Sequence, residues 1–548
     1  MTTILSRDSA LWRRPQTTPL ALNLVVATYL MVVSNGGFWA AASTLFKGAP
    51  LDVIGIGLAV WSVTFFTLSL VSLPWLHRPF LAVLILVAAG AAYYQKTLGV
   101  LIDRDMIRNI METTVTESKH LITADYLRHM ALTGVLPAVL LFWPRVKWPP
   151  LRHLVWRWPT SIVAGFALTV AFLMTDFKAY SAVIREHKEM MGAYQPGATI
   201  AALFKYGKDQ MRGAQVAAKP LGTDAKKGPH LSAADKPALL ILFVGETARA
   251  QNFGLNDYAR DTTPELRKRD VINFSQASSC GTSTAVSVPC MFSPFARDDY
   301  SRPKYLGSEN LLDVLAHAGV KADWWDNNTG DQQVAARTGW QRVDAKFDPA
   351  SCAEGECTDD AFFKVIDTTI KGMTEDTVLV LHMIGSHGPA YYLRYPKAAA
   401  VFTPDCRTAQ FSDCTPEEIV NAYDNSILQT DRVVAHAIDM AEAAPNVLPA
   451  VLFMSDHGES LGEGGLYLHA APAFMAPEVQ TRVPFVLWLS ERFAGAMGID
   501  KACLAAKGAD AVSHDNLFHS VLGLMDIQTG VRSDDLDLVA SCRKTEAM

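Results

Sequence analysis

Five long apolar stretches precede residue 180, at approximately 19 to 42, 51 to 73, 79 to 98, 125 to 143 and 157 to 176. Each is close to the roughly 20 residues that carry a helix across hydrocarbon, so the pattern predicts a transmembrane domain of five helices over residues 1–177. The first stretch is too long for a cleavable leader and four more follow it, which predicts that it is retained. Residues 99–122 mix apolar and charged positions at helical spacing, the pattern of an outer amphipathic segment at a membrane surface. Residues 178–235 read as bridging helices and a polar linker. After Lys236 the period changes. ALLILFVGET, KADWWDNN, DTVLVLHMIGSHG, AVLFMSDHG and VPFVLWLS are short, nearly continuous apolar runs. They predict an α/β domain over 236–548 whose mainly parallel sheet lies between helices.

Composition sharpens this division. Half of the 548 residues are apolar and mean hydropathy is +0.13, with the excess in the first third. A net charge of -6 supplies no basic field for nucleic acid, which excludes that class of partner. Basic residues flank the spans on one side: Arg13 and Arg14, then His77 and Arg78, then Arg145, Lys147, Arg152 and Arg157. That side is cytoplasmic by the positive-inside rule, and an odd number of spans delivers the α/β domain to the other face. The cysteines point the same way. All eight lie beyond the apolar third, in the neighbouring pairs Cys280 and Cys290, Cys352 and Cys357, and Cys406 and Cys414, with Cys503 and Cys542 the fourth. Short stapled loops belong to an oxidising compartment. Reduced thiols or a thiolate zinc site are the alternatives, and the absence of CxxC spacing weighs against the zinc site.

Polar residues cluster where the apolar runs end, which is where ligands bind in an open α/β sheet. Glu246 follows ILFVG, Asp456 and His457 follow VLFMS, His387 follows LHMIGS, and His469 lies in LGEGGLYLHA. Carboxylates and imidazoles at successive strand ends are the donor types of a zinc site. Singly, each is more often a capped or surface residue. The segment SSCGTSTAVSVPCMFS offers Thr282, Ser283 and Thr284 near a helix start, where free amides favour phosphate. A hydroxyl there becomes a useful nucleophile only when a metal or base lowers its pKa. These residue types do not choose among the three hydroxyls.

From about 236 to 525 the chain resembles the lipid A phosphoethanolamine transferases, the group that includes the colistin-resistance enzymes, within the alkaline phosphatase and sulfatase superfamily. The resemblance is carried by VGETARAQNFGLNDYARDTTP, CGTSTAVSVPCMFS, WWDNNTG, HMIGSHGP, SDHGESLGEGGLYLHA and SHDNLFHSVLGL, and by IRNIMETTVTES in the outer segment. It implies that Glu246, Thr284, Asp456 and His457 bind zinc and that Thr284 accepts the phosphoethanolamine. His387 and His469 would hold the transferred group, a second zinc or a proton. Asn109, Thr113, Glu117 and Asn328 would meet the donor head group. It further implies phosphatidylethanolamine as donor, a lipid A phosphate as acceptor, polymyxin resistance as a consequence, and a monomer in the bacterial inner membrane with its catalytic domain in the periplasm. Gln332 departs from the pattern, since close relatives carry a lysine there, so acceptor binding is expected to differ or to use another cation. Three rivals stand beside this reading: transfer to a core sugar, glycan or protein; a sulfatase or phosphatase; and a membrane sensor on a decayed enzyme scaffold.

Overall fold

In a computed structural model the described residues are 14–213, 217–353 and 355–544, without the side chains of 115–117. The chain divides into two compact units, residues 1–104 with 122–204 and residues 105–121 with 205–548. The boundary therefore lies beyond residue 177, and most of the outer amphipathic segment belongs with the second unit.

In the first unit, the first apolar stretch forms α1 (Pro19–Val33) and α2 (Gly36–Leu45), bent by 66° at the break. Buried Asn35 satisfies backbone groups there: its amide nitrogen donates to the carbonyls of Leu30 (2.9 Å) and Gln195 (2.7 Å), and its oxygen accepts from Gln195 N (2.7 Å). α3 (Pro50–Leu70) and α4 (His77–Leu98) follow; next in the chain, α5 (Arg104–Glu112) and α6 (Val115–Leu121) of the outer segment fall almost entirely in the second unit. The expected span at 125–143 is instead assembled from α7 (Ala124–His129), a π-helical turn (Met130–Val135) and α8 (Leu136–Leu140). Pro137 explains part of this. It has no N–H for the Thr133 carbonyl one turn earlier, and the Tyr29 hydroxyl donates to that carbonyl at 2.6 Å. α9 (Leu151–Leu173) completes the set.

Among the described residues α3, α4 and α9 are long and apolar enough to cross a membrane, and α1 with α2 makes a fourth span if the bent pair counts as one. The expected count of five is thus approximate, with three unbroken spans and a bent pair among the described residues. Close packing of α3 on α9 depends on Gly165, where a Cβ would lie 3.1 Å from Phe66 Cα; small residues allow such approach between helices in lipid. α10 (Phe177–Glu186), α11 (Lys188–Gly192) and α12 (Gly197–Gly213) are the bridging helices.

The second unit is built on a seven-stranded sheet. In chain order its strands are β1 (Ala238–Gly245), β2 (Ile272–Asn273), β3 (Lys321–Asp326), β4 (Trp340–Arg342), β5 (Thr377–His382), β6 (Leu448–Ser455) and β7 (Phe485–Leu489), in spatial order β2-β7-β6-β1-β5-β3-β4. β7 runs antiparallel to β6 and β2, and the remaining pairs are parallel. β1, β5 and β6 are buried at every position, as strands covered on both faces must be. Register does the functional work: Gly245 is opposite Ser455, and Val244 opposite His382, itself opposite Asp326. The residues just past these positions therefore emerge along one edge. Four disulfides, Cys280–Cys290, Cys352–Cys357, Cys406–Cys414 and Cys503–Cys542, staple the surrounding loops.

Candidate active site

Glu246 is the first residue past β1, Asp456 and His457 are the first past β6, and all three are buried. One donor atom from each lies within 4.8 Å of the others. Thr284 opens helix α13 (Thr284–Met291) and is also buried. Its hydroxyl donates to Glu246 Oε2 at 3.0 Å and lies 3.4 Å from His457 Nε2. Thr282 is engaged elsewhere, donating to the Ala471 carbonyl at 2.7 Å. The fold thereby separates two hydroxyls that residue types alone could not.

The donor set fits a divalent cation. His457 Nδ1 donates to the Gly458 carbonyl at 2.9 Å, which leaves Nε2 for a ligand. Asp456 Oδ1 accepts from Thr247 N (3.2 Å) and His457 N (2.7 Å), whereas Oδ2 is buried without a hydrogen-bond partner among the described residues. His457 Nε2 stands 3.4 Å from that oxygen and 3.3 Å from Glu246 Oε1, and two buried carboxylates sharing one imidazole are costly unless a further cation meets them. The electrostatics agree. Burial and then the Glu246 charge push Asp456 up to about 7. Burial alone would lower His457, but Asp456 and Glu246 outweigh it and push the imidazole up to about 10. Burial works to raise Glu246, and His457 holds it well below the usual carboxylate range.

The turn bearing Glu246 is set by distant residues. Asn328 Nδ2 donates to Glu246 Oε2 at 2.7 Å and to the Met383 carbonyl at 2.9 Å. Tyr423, on α14 (Pro416–Glu442), donates to the Thr247 carbonyl at 2.8 Å and accepts from Arg249 N at 2.9 Å. Gly385 lets the loop carrying His387 approach: its φ is +48°, and a Cβ there would sit 2.5 Å from the Glu246 carbonyl oxygen. Buried His387 and His469 stand with ring centroids 5.2 Å apart, and His469 lies 4.5 Å from His457.

His469 donates from Nδ1 to Glu459 Oε2 at 2.9 Å, and Asn109 of α5 reaches its Nε2 at 3.5 Å. Burial lowers the His469 pKa, which Glu459 opposes. Asn109 and Asn328 are thus brought to the cluster. Thr113 spends its hydroxyl on the Asn109 carbonyl of its own helix, at 2.6 Å. The Glu117 side chain lies outside the described residues. Gln332 donates to Thr329 Oγ1 at 3.1 Å.

Sequence reasoning missed three supports. Glu459, buried, holds His469 and accepts from the Tyr391 hydroxyl at 2.6 Å; its only sequence signal is proximity to DHG. Buried His382 donates from Nδ1 to Asp326 Oδ1 at 2.8 Å, behind Asn328. His514 accepts from Cys280 N at 3.0 Å and donates to the Ser455 carbonyl at 2.9 Å, tying the Thr284 loop to β6.

The sequence profile described as Sulfatase matches residues 238–527, and that described as Phosphoethanolamine transferase EptA/EptB matches 60–211. The chain is 37% identical to the phosphoethanolamine transferase EptA of Escherichia coli, covering 97% of this chain and 99% of that protein. It is 32% identical to the phosphatidylethanolamine transferase Mcr-1 of Escherichia coli, covering 95% and 98%. Its structure matches the integral membrane protein lipooligosaccharide phosphoethanolamine transferase A of Neisseria meningitidis with a TM-score of 0.92 and 34% identity, over 97% of this chain and 100% of that one.

Proposed function

The chain belongs to the phosphoethanolamine transferases of the alkaline phosphatase and sulfatase superfamily, and on that premise we propose that it moves phosphoethanolamine from phosphatidylethanolamine to a lipid A phosphate by way of Thr284. The observation that carries this reading is the Thr284 hydroxyl at a helix start, 3.0 Å from Glu246 and 3.4 Å from His457. A zinc ion held by Glu246, Asp456, His457 and the Thr284 oxygen would lower the hydroxyl pKa and neutralise phosphoryl charge.

In the first step Thr284 Oγ1 forms a bond to phosphorus, the bond from phosphorus to the diacylglycerol oxygen breaks, and diacylglycerol leaves. The threonine proton passes along its hydrogen bond to Glu246 Oε2. His469, entering this step with both ring nitrogens protonated and Nδ1–H committed to Glu459, gives its Nε2 proton to the leaving oxygen and is left neutral, the form that burial favours. In the second step a lipid A phosphate oxygen forms a bond to the same phosphorus, the bond from phosphorus to Thr284 Oγ1 breaks, Thr284 Oγ1 takes back the proton held on Glu246, and the proton the acceptor phosphate gives up restores His469. The first turn of α13 favours the phosphoryl group, and His387 and Asn328 complete its surroundings. Asn109, Thr113 and Glu117 are the family-matched partners for the donor head group, a carboxylate being a sensible partner for its ammonium. The enzyme works as a monomer in the inner membrane with this unit in the periplasm, and the added ammonium lowers the negative surface charge that polymyxins bind.

Intact-mass analysis of the Thr284 peptide, after the purified full chain meets phosphatidylethanolamine micelles, tests the first step. A phosphoethanolamine adduct that Thr284→Ala abolishes is expected, and its absence would remove the threonine intermediate. Lipid A from cells carrying the gene should gain the same mass. An adduct on Thr284 with unmodified lipid A would assign a different acceptor.

A further inference from the structure

A cavity of about 810 Å³ lies wholly within the membrane unit, between α1, α3, α9 and the loop before α9, and contains no residue of the site above. Lys147 and Arg157 stand on its lining, both exposed at the basic end of the unit. Neither side chain has an ion pair or hydrogen bond among the described residues. Beneath them the walls are apolar, with Phe65 on α3 and Ala164 and Leu168 on α9. Polar groups that reach the wall are held in place: Asn23 donates to Ser72 Oγ at 2.8 Å and meets His77 Nε2 at 2.7 Å. Trp158 is fixed by donating to the Ser69 carbonyl at 2.9 Å. The cavity is therefore preformed, within the ordinary size range of ligand sites.

Its dimensions identify the occupant's class. The lining runs along α3 from Trp61 toward its end at Leu70 and reaches Ser72 just beyond, about 14 Å over the helical part at 1.5 Å per residue, and half of a hydrocarbon core is about 15 Å. One acyl chain fits that length. Two cations without carboxylate partners favour a phosphate and disfavour a second positive group beside it, so a net-negative head group suits the mouth better than the zwitterionic donor. We propose that this cavity binds one anionic glycerophospholipid from the leaflet at the basic end, its phosphate between Lys147 and Arg157 and an acyl chain along α3 and α9. An anchored lipid there would brace α9 against α1 and α3.

The test is native mass spectrometry of the full-length protein exchanged into nanodiscs containing phosphatidylglycerol, phosphatidylethanolamine or diacylglycerol. Phosphatidylglycerol should remain bound most strongly. Lys147→Gln with Arg157→Gln should weaken that retention about thirtyfold, the scale of two interfacial cations. Ala164→Trp, which fills the cavity and keeps both charges, should prevent retention of phosphatidylglycerol, so the proposal does not depend on the double variant folding. Equal retention of phosphatidylethanolamine and phosphatidylglycerol by the unaltered chain would overturn it. So would undiminished binding of phosphatidylglycerol in either variant.

Discussion

The two units bury opposite kinds of side chain for the same physical reason. In the membrane unit large apolar residues face outward, with Leu51 80% and Trp156 76% exposed, while Asn23 and His77 are 1% and 0% exposed and joined to one another. In the catalytic unit the outward-facing side chains are mostly polar, and the buried polar groups include the Glu246, Asp456 and His457 cluster. Lipid is as apolar as a leucine side chain, so helices in it gain little from sequestering leucine and are joined by small residues and polar contacts. Water drives leucine inward, and a buried charge persists there only where partners or a cation repay its desolvation. Buried polarity in the first unit is therefore dominated by uncharged side chains bonded to one another, as Asn23 is to Ser72 and His77. In the second it includes ionisable groups gathered at one edge of the sheet, Glu246, Asp456 and His457.

This contrast can be broken at four places. Thr284→Ala should reduce transfer at least about a thousandfold while leaving the thermal midpoint nearly unchanged, because on the proposed reading it removes a nucleophile that has no substitute. Retained turnover would move the chemistry elsewhere. Glu459→Gln should cost about 10- to 100-fold in kcat, the scale of outer-shell partners of a functional histidine, with KM little altered. A pure rise in KM would make Glu459 a binding residue instead.

His514 tests stability against pH. Burial holds its imidazole down to about 3, whereas an unfolded histidine takes a proton near 6.5. Its contribution is thus complete above about pH 6.5 and is lost as pH falls from there toward 3. His514→Gln retains a donor and an acceptor but not the titration, so its thermal midpoint should fall less steeply between pH 6.5 and 4 than that of the unaltered protein. Parallel slopes would remove His514 from the acid response. The smallest effect is expected in the membrane unit. Asn23→Leu should destabilise by about 1 kcal/mol, the usual scale of polar contacts between helices in lipid, as read by unfolding in mixed micelles. A loss of several kcal/mol there would erase the contrast.

The apolar runs, the strand ends with their ligand types and the paired cysteines were legible along the chain because hydrophobic period and short loop closure are local properties. The four strands that supply the site's polar edge were legible in the same way. Gly385 and the φ it adopts were not, since the demand for it comes from the Glu246 carbonyl, well over a hundred residues away.

Sequence by itself determined two solvents for one chain and a set of metal-ligand types at the ends of apolar runs. Tertiary structure decided the rest: that the first span bends at Asn35, that 125–143 is built in pieces around Pro137, and that most of the outer segment belongs with the catalytic unit. It also decided that Thr284, not Thr282, faces Glu246. The physical reason is common to all of these. Burial preference is carried by each side chain alone, whereas which hydroxyl meets which carboxylate depends on strand register and loop closure between residues far apart in sequence.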